Sequence, residues 1–295
     1  MRKKILLDTD IGSDIDDAVC LAYLLMQTEA DLIGVTTVSG QSRVRARMVS
    51  AICRAANRDV PIVPGVESPL LVEQRQSEAQ QAVRLSNWPH DQEFPDLPAI
   101  QFLADQILSN PGEVTLLTIG PLTNAALLFA VYPETISALE QLVMMCGVFT
   151  NEPDNPWKME WNAMLDPHAT EMVFNARVGV HRSIGLDVTR KVTMRAEEVK
   201  SRFSHPILQP VLDFADVWFQ EREILVFHDP LAAVTVFDPS VCEFSEGMVT
   251  VNSDAAAGPL GLTTFDPDAD EKPHQVALKV DSERFFESYF SVFDQ

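Results

Sequence analysis

Apolar and polar positions follow two rhythms along the chain. Short β-rich apolar runs are separated by longer stretches at helical spacing, the pattern of a parallel sheet covered by helices on both faces. Residues 5–7 predict the first strand, and a helix starting near Asp16 or Asp17 carries Ala18, Leu21, Ala22 and Leu25 inward. A strand at 32–38, a helix at 43–57 and a short strand at 60–63 follow. Residues 64–98, with Pro64, Pro69, Pro89, Pro95 and Pro98, read as a long excursion with a possible helix at 73–85, and loops of this length often serve as lids or binding loops. Alternation resumes with a helix at 99–108, a strand at 114–119, a helix at 122–131 and a strand at 142–146, and a loop at 147–163 interrupts it. A helix at 167–175, a strand at 180–186 and mostly helix over 196–237 come next. The tail at 242–280 alternates like antiparallel strands, and a closing helix at 282–293 carries Phe285, Phe286, Tyr289, Phe290 and Phe293 as a core stripe. The expected fold class is α/β, with an open, mainly parallel central sheet flanked by helices and one domain over 1–295.

Composition narrows the partners. A chain of 295 residues that is 46% hydrophobic can bury a large core. Its formal charge of −21 repels phosphates and anionic lipid, so neither nucleic acid nor a membrane is an expected partner. Cys20, Cys53, Cys146 and Cys242 form no C-x-x-C pair, which points away from zinc and from a disulfide scaffold and suits a reducing cytoplasm. Arg2, Lys3 and Lys4 look like the start of a signal peptide, but the apolar run after them stops at Asp8. No apolar stretch is long enough to span a bilayer.

The richest chemistry follows the first strand, where Asp8, Asp10, Asp14, Asp16 and Asp17 crowd one loop around Gly12. Oxygen ligands in such number suit a hard cation, calcium more readily than magnesium, and ligands of open α/β sheets bind beyond the carboxyl ends of the strands. A plainer reading makes one or two of these aspartates helix caps. An EF-hand is excluded, since the twelfth position from Asp8 is Val19. A haloacid-dehalogenase-like phosphatase, with Asp8 as nucleophile and Asp10 as acid, remains the rival enzyme.

Three further motifs appear in order: Gly120-Pro121-Leu122-Thr123-Asn124, then Glu160-Trp161-Asn162 with Asp166-Pro167, then His228-Asp229-Pro230-Leu231-Ala232. By itself Asp229-Pro230, like Asp166-Pro167, reads as an N-cap followed by Pro in the first turn. Together with the opening loop, these motifs resemble the inosine-uridine nucleoside hydrolase family over nearly the whole chain. The resemblance implies a Rossmann-like nucleoside hydrolase fold and calcium held by Asp10, Asp17, Asp229 and the Ile119 carbonyl. It further implies Asp10 as general base toward the attacking water, His228 as general acid toward the leaving base, and a homodimer or homotetramer. Asp16 and Asn162 are expected at the 2′ and 3′ hydroxyls of a ribonucleoside, with Glu160 and Asn155 at the 5′ hydroxyl.

One departure stands out. Gln41 occupies the ribose-contact position where the family has Asn, and it keeps open a protein that retains the cation site without catalysis. Trp88, His90, Phe94, Phe149, Trp157 and Trp161 are candidates to stack on a base or to pack internally.

Overall fold

The computed structural model describes residues 2–150 and 158–294. The first half runs β1 (Lys3–Thr9), α1 (Asp16–Met26), β2 (Ala30–Thr37), α2 (Ser42–Ala55) and β3 (Ile62–Pro64). After a long connection come α3 (Ala99–Ser109), β4 (Val114–Thr118), α4 (Thr123–Val131), α5 (Glu134–Ala138) and β5 (Leu139–Met144). The second half runs α6 (Trp161–Leu165), α7 (Pro167–Phe174), β6 (His181–Ser183), α8 (Leu186–Thr189), β7 (Thr193–Arg195), α9 (Ala196–Arg202), α10 (Leu208–Trp218) and β8 (Ile224–Val226). It closes with α11 (His228–Phe237), β9 (Cys242–Val251), β10 (Thr263–Asp266), β11 (His274–Val280) and α12 (Ser282–Ser291).

Nine strands form one sheet in the order β10-β9-β11-β6-β5-β4-β1-β2-β3. All pairings from β3 across to β11 are parallel, and β9 and β10 add an antiparallel edge. Parallel strands covered on both faces carry near-continuous apolar runs, as Ile5 to Leu7 do in β1, and the burial continues through the polar Asp8 and Thr9. Its side chains divide between the faces. Ile5 and Leu7 pack with α1, α2, α10, α11 and α12, while Leu6 packs with α3, α4 and α7. The aromatic stripe of α12 is core as expected: Tyr289 stacks on Tyr23 at 5.5 Å and meets Phe227 edge-on at 5.4 Å. Strand order reverses between β1 and β4, and a crevice at such a switch point is where this architecture places ligands.

Four expectations need correction. Residues 73–85 hold no α-helix, only the start of a 3₁₀ turn at Gln80–Asn87. The strand expected at 180–186 ends at Ser183, because Leu186–Thr189 is helical and Asp187 within it accepts the N–H groups of Phe149 and Thr150. Strand β8 interrupts the helical region 196–237 and pairs with β7 in a separate ribbon. In the tail, β11 pairs antiparallel with β9 but parallel with β6. Alternation along a strand reports which faces are buried, not the direction of its neighbours. Among the described residues, no helix is long and apolar enough to cross a membrane.

Candidate active site

Two helix starts meet at the crevice. Asp16 and Asp17 lie in the first turn of α1 and Asp229 in the first turn of α11, and the two helices pack together. One carboxylate oxygen from each of the three residues lies within 4.8 Å of the others, and all three side chains are buried. The Asp229 N–H donates to Asp16 Oδ2 at 3.0 Å, and Thr9 Oγ1 donates to Asp17 Oδ1 at 2.5 Å. Neither helix has a side-chain cap; the cap positions are Ile15 and Phe227. The capping reading therefore fails for Asp229, since α11 begins one residue before it. It holds for Asp166, whose carboxylate accepts Ala169 N–H at 3.1 Å ahead of Pro167.

Asp10 closes the site from the end of β1. Gln76 Nε2 donates to its Oδ2, and the buried Arg45 guanidinium donates to its main-chain carbonyl. A Cβ at Gly120 would lie 2.7 Å from Asp10 Oδ1, so only glycine leaves that oxygen room. Gly12 makes the turn with φ +113°, and a side chain there would strike Met48 Sδ and Ala79. Ile119 sits beside Asp10 on the neighbouring strand end, with its N–H on Asp8 O at 2.9 Å and its carbonyl accepting Asn162 Nδ2 at 2.9 Å.

Burial raises the pKa of Asp16, Asp17 and Asp229 well above the ordinary carboxylate value, and repulsion from neighbouring carboxylates, Asp10 and Asp14 included, adds to it. Burial likewise raises Asp10, against the opposing pull of Arg45. Two charges 4.8 Å apart repel by about 3–4 kcal/mol at an effective dielectric near 20. Among the described residues no ion pair reaches these carboxylates, and Arg45 directs its N–H groups to carbonyls of Asp10, Ile11, Gly40 and Glu78 and to Ser13 Oγ. Convergent, buried, all-oxygen donors fit a hard divalent cation.

Asp8 stands apart. Fully buried, it accepts from Thr36 Oγ1 at 2.6 Å and Asn124 Nδ2 at 2.7 Å, and burial pushes it up to about 7. A side chain so enclosed is no phosphoryl acceptor, which removes the phosphatase reading. Asp14 is half-buried and pushed up to about 6, mainly by burial.

The other expected residues divide. Asn162 is buried in the site, with Nδ2 also donating to Met145 O at 3.1 Å. Glu160 caps α6 by accepting from Asn162 and Ala163 N–H at 2.6 and 2.9 Å, takes Gly147 N–H at 3.3 Å, and is raised to about 7 by burial. His228 is half-buried beside Asp229 with Nδ1 2.7 Å from Thr189 Oγ1, and burial, aided by Arg190, pulls it down to about 4. Gln41 does not join the site. It is exposed at a left-handed φ of 61°, and its long side chain reaches Ala79 N–H at 3.0 Å. Asn155 and Trp157 lie outside the described residues. Trp88 and Phe94 pack against the core, Trp88 with Nε1 on Asp213, and Phe149 is buried against Phe265. His90 bonds to the Trp88 carbonyl. Trp161, 47% exposed at the start of α6, is the stacking candidate that this leaves among the described residues.

Sequence reasoning passed over Arg45, Gln76 and the Asn124 side chain. Arg45 had a local signal, a charge on the otherwise apolar face of α2 with Met48, Val49 and Ile52.

A parallel sheet with carboxylates gathered at its switch point defines an α/β enzyme class, and comparison with known proteins makes it specific. The family model for inosine-uridine preferring nucleoside hydrolases matches residues 5–287, and the chain belongs to that family. Its reaction is nucleoside N-ribohydrolysis. The chain is 30% identical over 308 residues to the inosine-uridine preferring nucleoside hydrolase of Leishmania major, covering 97% of this chain and 96% of that one. It is 30% identical over 277 residues to a probable uridine nucleosidase 2 of Arabidopsis thaliana, covering 85% and 83%. A solved plant nucleoside hydrolase superposes with a TM-score of 0.83 at 25% identity, covering 99% of each chain.

Proposed function

We propose that this hydrolase is calcium-dependent, that Asp10, Asp17, Asp229 and the Ile119 carbonyl hold the ion, and that residues 1–295 act as one catalytic domain. The observation that carries this reading is the convergence of Asp16, Asp17 and Asp229, from helix starts 213 residues apart in sequence, on one buried point beside Asp10. A divalent cation bound there would supply Lewis acidity toward water and ribose oxygens. The protein's residues do the rest.

Asp10 accepts the proton of the attacking water as general base, its free oxygen lying on the Gly120 side. Asp16 receives a ribose hydroxyl, and Asn162, whose Nδ2 is committed to two carbonyls, offers Oδ1 to another. Carboxylates around the anomeric carbon stabilise the positive charge that grows there. His228 is neutral at pH 7 by its environment. We assign Thr189 Oγ1 as the donor to Nδ1, which leaves Nε2 carrying the hydrogen to polarise the departing base, the work a neutral imidazole performs when its pKa is held low. Glu160 takes the 5′ hydroxyl through its remaining lone pairs, and Asn155 is carried beside it from the family pattern. The buried free thiols support a cytoplasmic setting, release of a free base fits a role in purine and pyrimidine salvage, and a homodimer or homotetramer is checked by light scattering.

The test is a reducing-sugar assay on chelator-stripped protein with inosine, uridine, cytidine and adenosine, each with and without added calcium. Turnover of at least one nucleoside that appears with calcium supports the proposal. Full turnover in excess chelator removes the cation from it, and tight ribose binding without turnover favours a protein that has lost catalysis.

A further inference from the structure

We propose that Gln76 is a positioning residue for Asp10, and that Trp161 decides which end of the Gln76 carboxamide faces the carboxylate. This rests on Asp10 being the base. Gln76 comes from the long connection after β3 and is 7% exposed. Its main chain is fixed on three sides: the carbonyl accepts from Ser39 Oγ at 3.2 Å and Arg45 Nη2 at 3.5 Å, and the N–H donates to Gln74 Oε1 at 2.7 Å. From that anchor the side chain spans two segments. Nε2 donates to Asp10 Oδ2, and Oε1 accepts the Trp161 indole N–H at 2.7 Å.

A glutamine amide can present either its oxygen or its nitrogen, and the wrong end would set a lone pair against the carboxylate. The indole Nε1–H is a donor only, so it binds the oxygen and leaves the NH₂ for Asp10. With Oδ2 held, the plane of the Asp10 carboxylate is set and Oδ1 stays on the Gly120 side. The same bond ties the half-exposed Trp161 ring, next in sequence to Asn162, to the base that acts on the sugar. Any shift of Trp161 on ligand binding is therefore transmitted to Asp10 through one amide.

The test is steady-state kinetics of the calcium-loaded enzyme with its best nucleoside, beside melting temperatures. Loss of a hydrogen bond to a charged group costs about 10- to 100-fold, so Gln76→Ala should lose that factor in kcat with KM within about threefold. Gln76→Glu, which sets a carboxylate against Asp10, should lose more. Trp161→Phe keeps the ring but lacks the N–H; it should lower kcat by roughly 3- to 10-fold, and pairing it with Gln76→Ala should add little. Trp161→Phe also keeps the test open if the Gln76 variants fold poorly. In an Asp10→Asn background Gln76→Ala should leave the residual rate unchanged. A rise in kcat/KM for Gln76→Ala would show that the side chain obstructs the site, and a change in KM alone would make it a substrate contact; either overturns the inference. Full activity of Asp10→Asn would instead overturn the assignment of the base. An inactive Asp10→Asn beside unaffected Gln76 and Trp161 variants would sink the positioning role alone.

Discussion

Asp229→Asn should stabilise the chelator-stripped protein while destroying its response to calcium. Asp229 shares a 4.8 Å cluster with Asp16 and Asp17, and each charge pair there is worth about 3–4 kcal/mol of repulsion. Partial protonation of the cluster and the favourable first-turn positions on two helices reduce what is recovered, leaving roughly 1–3 kcal/mol. The unfolding entropy scales to about 0.6 kcal/mol per degree for 295 residues. The variant should therefore melt about 2–5 °C above the parent in excess chelator. Calcium at a thousand times its dissociation constant stabilises the parent by about 4.1 kcal/mol, which reverses the order. Asparagine matches the volume of aspartate, and the hydrogen bond that joins Asp229 to Asp16 is made by the Asp229 main-chain N–H, so the substitution leaves it in place. Scanning calorimetry with chelator and with millimolar calcium reads both effects. A variant that melts below the parent in chelator, or that gains as much from calcium, would refute the repulsion argument.

Four other outcomes follow from the same geometry. Asp10→Asn should retain its melting temperature within a few degrees and lose about 10²- to 10⁴-fold in kcat, the range for a general base, measured with saturating inosine or uridine. Nucleoside 5′-monophosphates and 2′-deoxynucleosides should be poor substrates, since buried Glu160 repels a phosphate and Asp16 and Asn162 are left unpaired without the hydroxyl; product analysis by chromatography decides it. His228→Ala should lower kcat more for a poor leaving base than for p-nitrophenyl riboside, and equal losses on both would remove it as the donor. His181 is buried, edge-on to His274 at 4.8 Å, and burial, aided by His274, pulls it from 6.5 to about 3. The unfolded chain thus takes up this proton first, so native stability is full above pH 6.5 and falls as pH drops toward 3. The fall is up to ~1.4 kcal/mol per pH unit. His181→Phe should flatten that slope in urea titrations between pH 7.5 and 5, and an unchanged slope would count against it.

Much of the architecture was legible because burial on both faces gives parallel strands near-continuous apolar runs, and the centres of β1, β2 and β4 read that way. The meeting of Asp17 with Asp229 in one buried cluster matches what the family resemblance of the motifs implies, although the Asp229-Pro230 pair alone resembles a cap; Asp16, which the resemblance places at a ribose hydroxyl, joins them there. Local sequence could not separate Asp166, which does cap a helix, from Asp229, which does not; a one-residue shift in the helix start makes the difference. Gln41, at the motif position expected to touch ribose, has a left-handed backbone and its side chain on Ala79 N–H, a placement that no local pattern announces. The Asn124 side chain clamps Asp8 and the Thr37 and Val66 main chain, contacts between distant segments that its own motif does not reveal. Gln76 reaches Asp10 across 66 residues from a proline-rich connection, and a contact of that kind leaves no periodicity to read.

Isothermal titration of chelator-stripped protein with calcium tests the central claim most directly. One ion per chain should bind, with the heat abolished in Asp17→Asn and in Asp229→Asn while both variants remain folded. An absent signal in the parent, or titrations in the two variants that match it, would contradict the account.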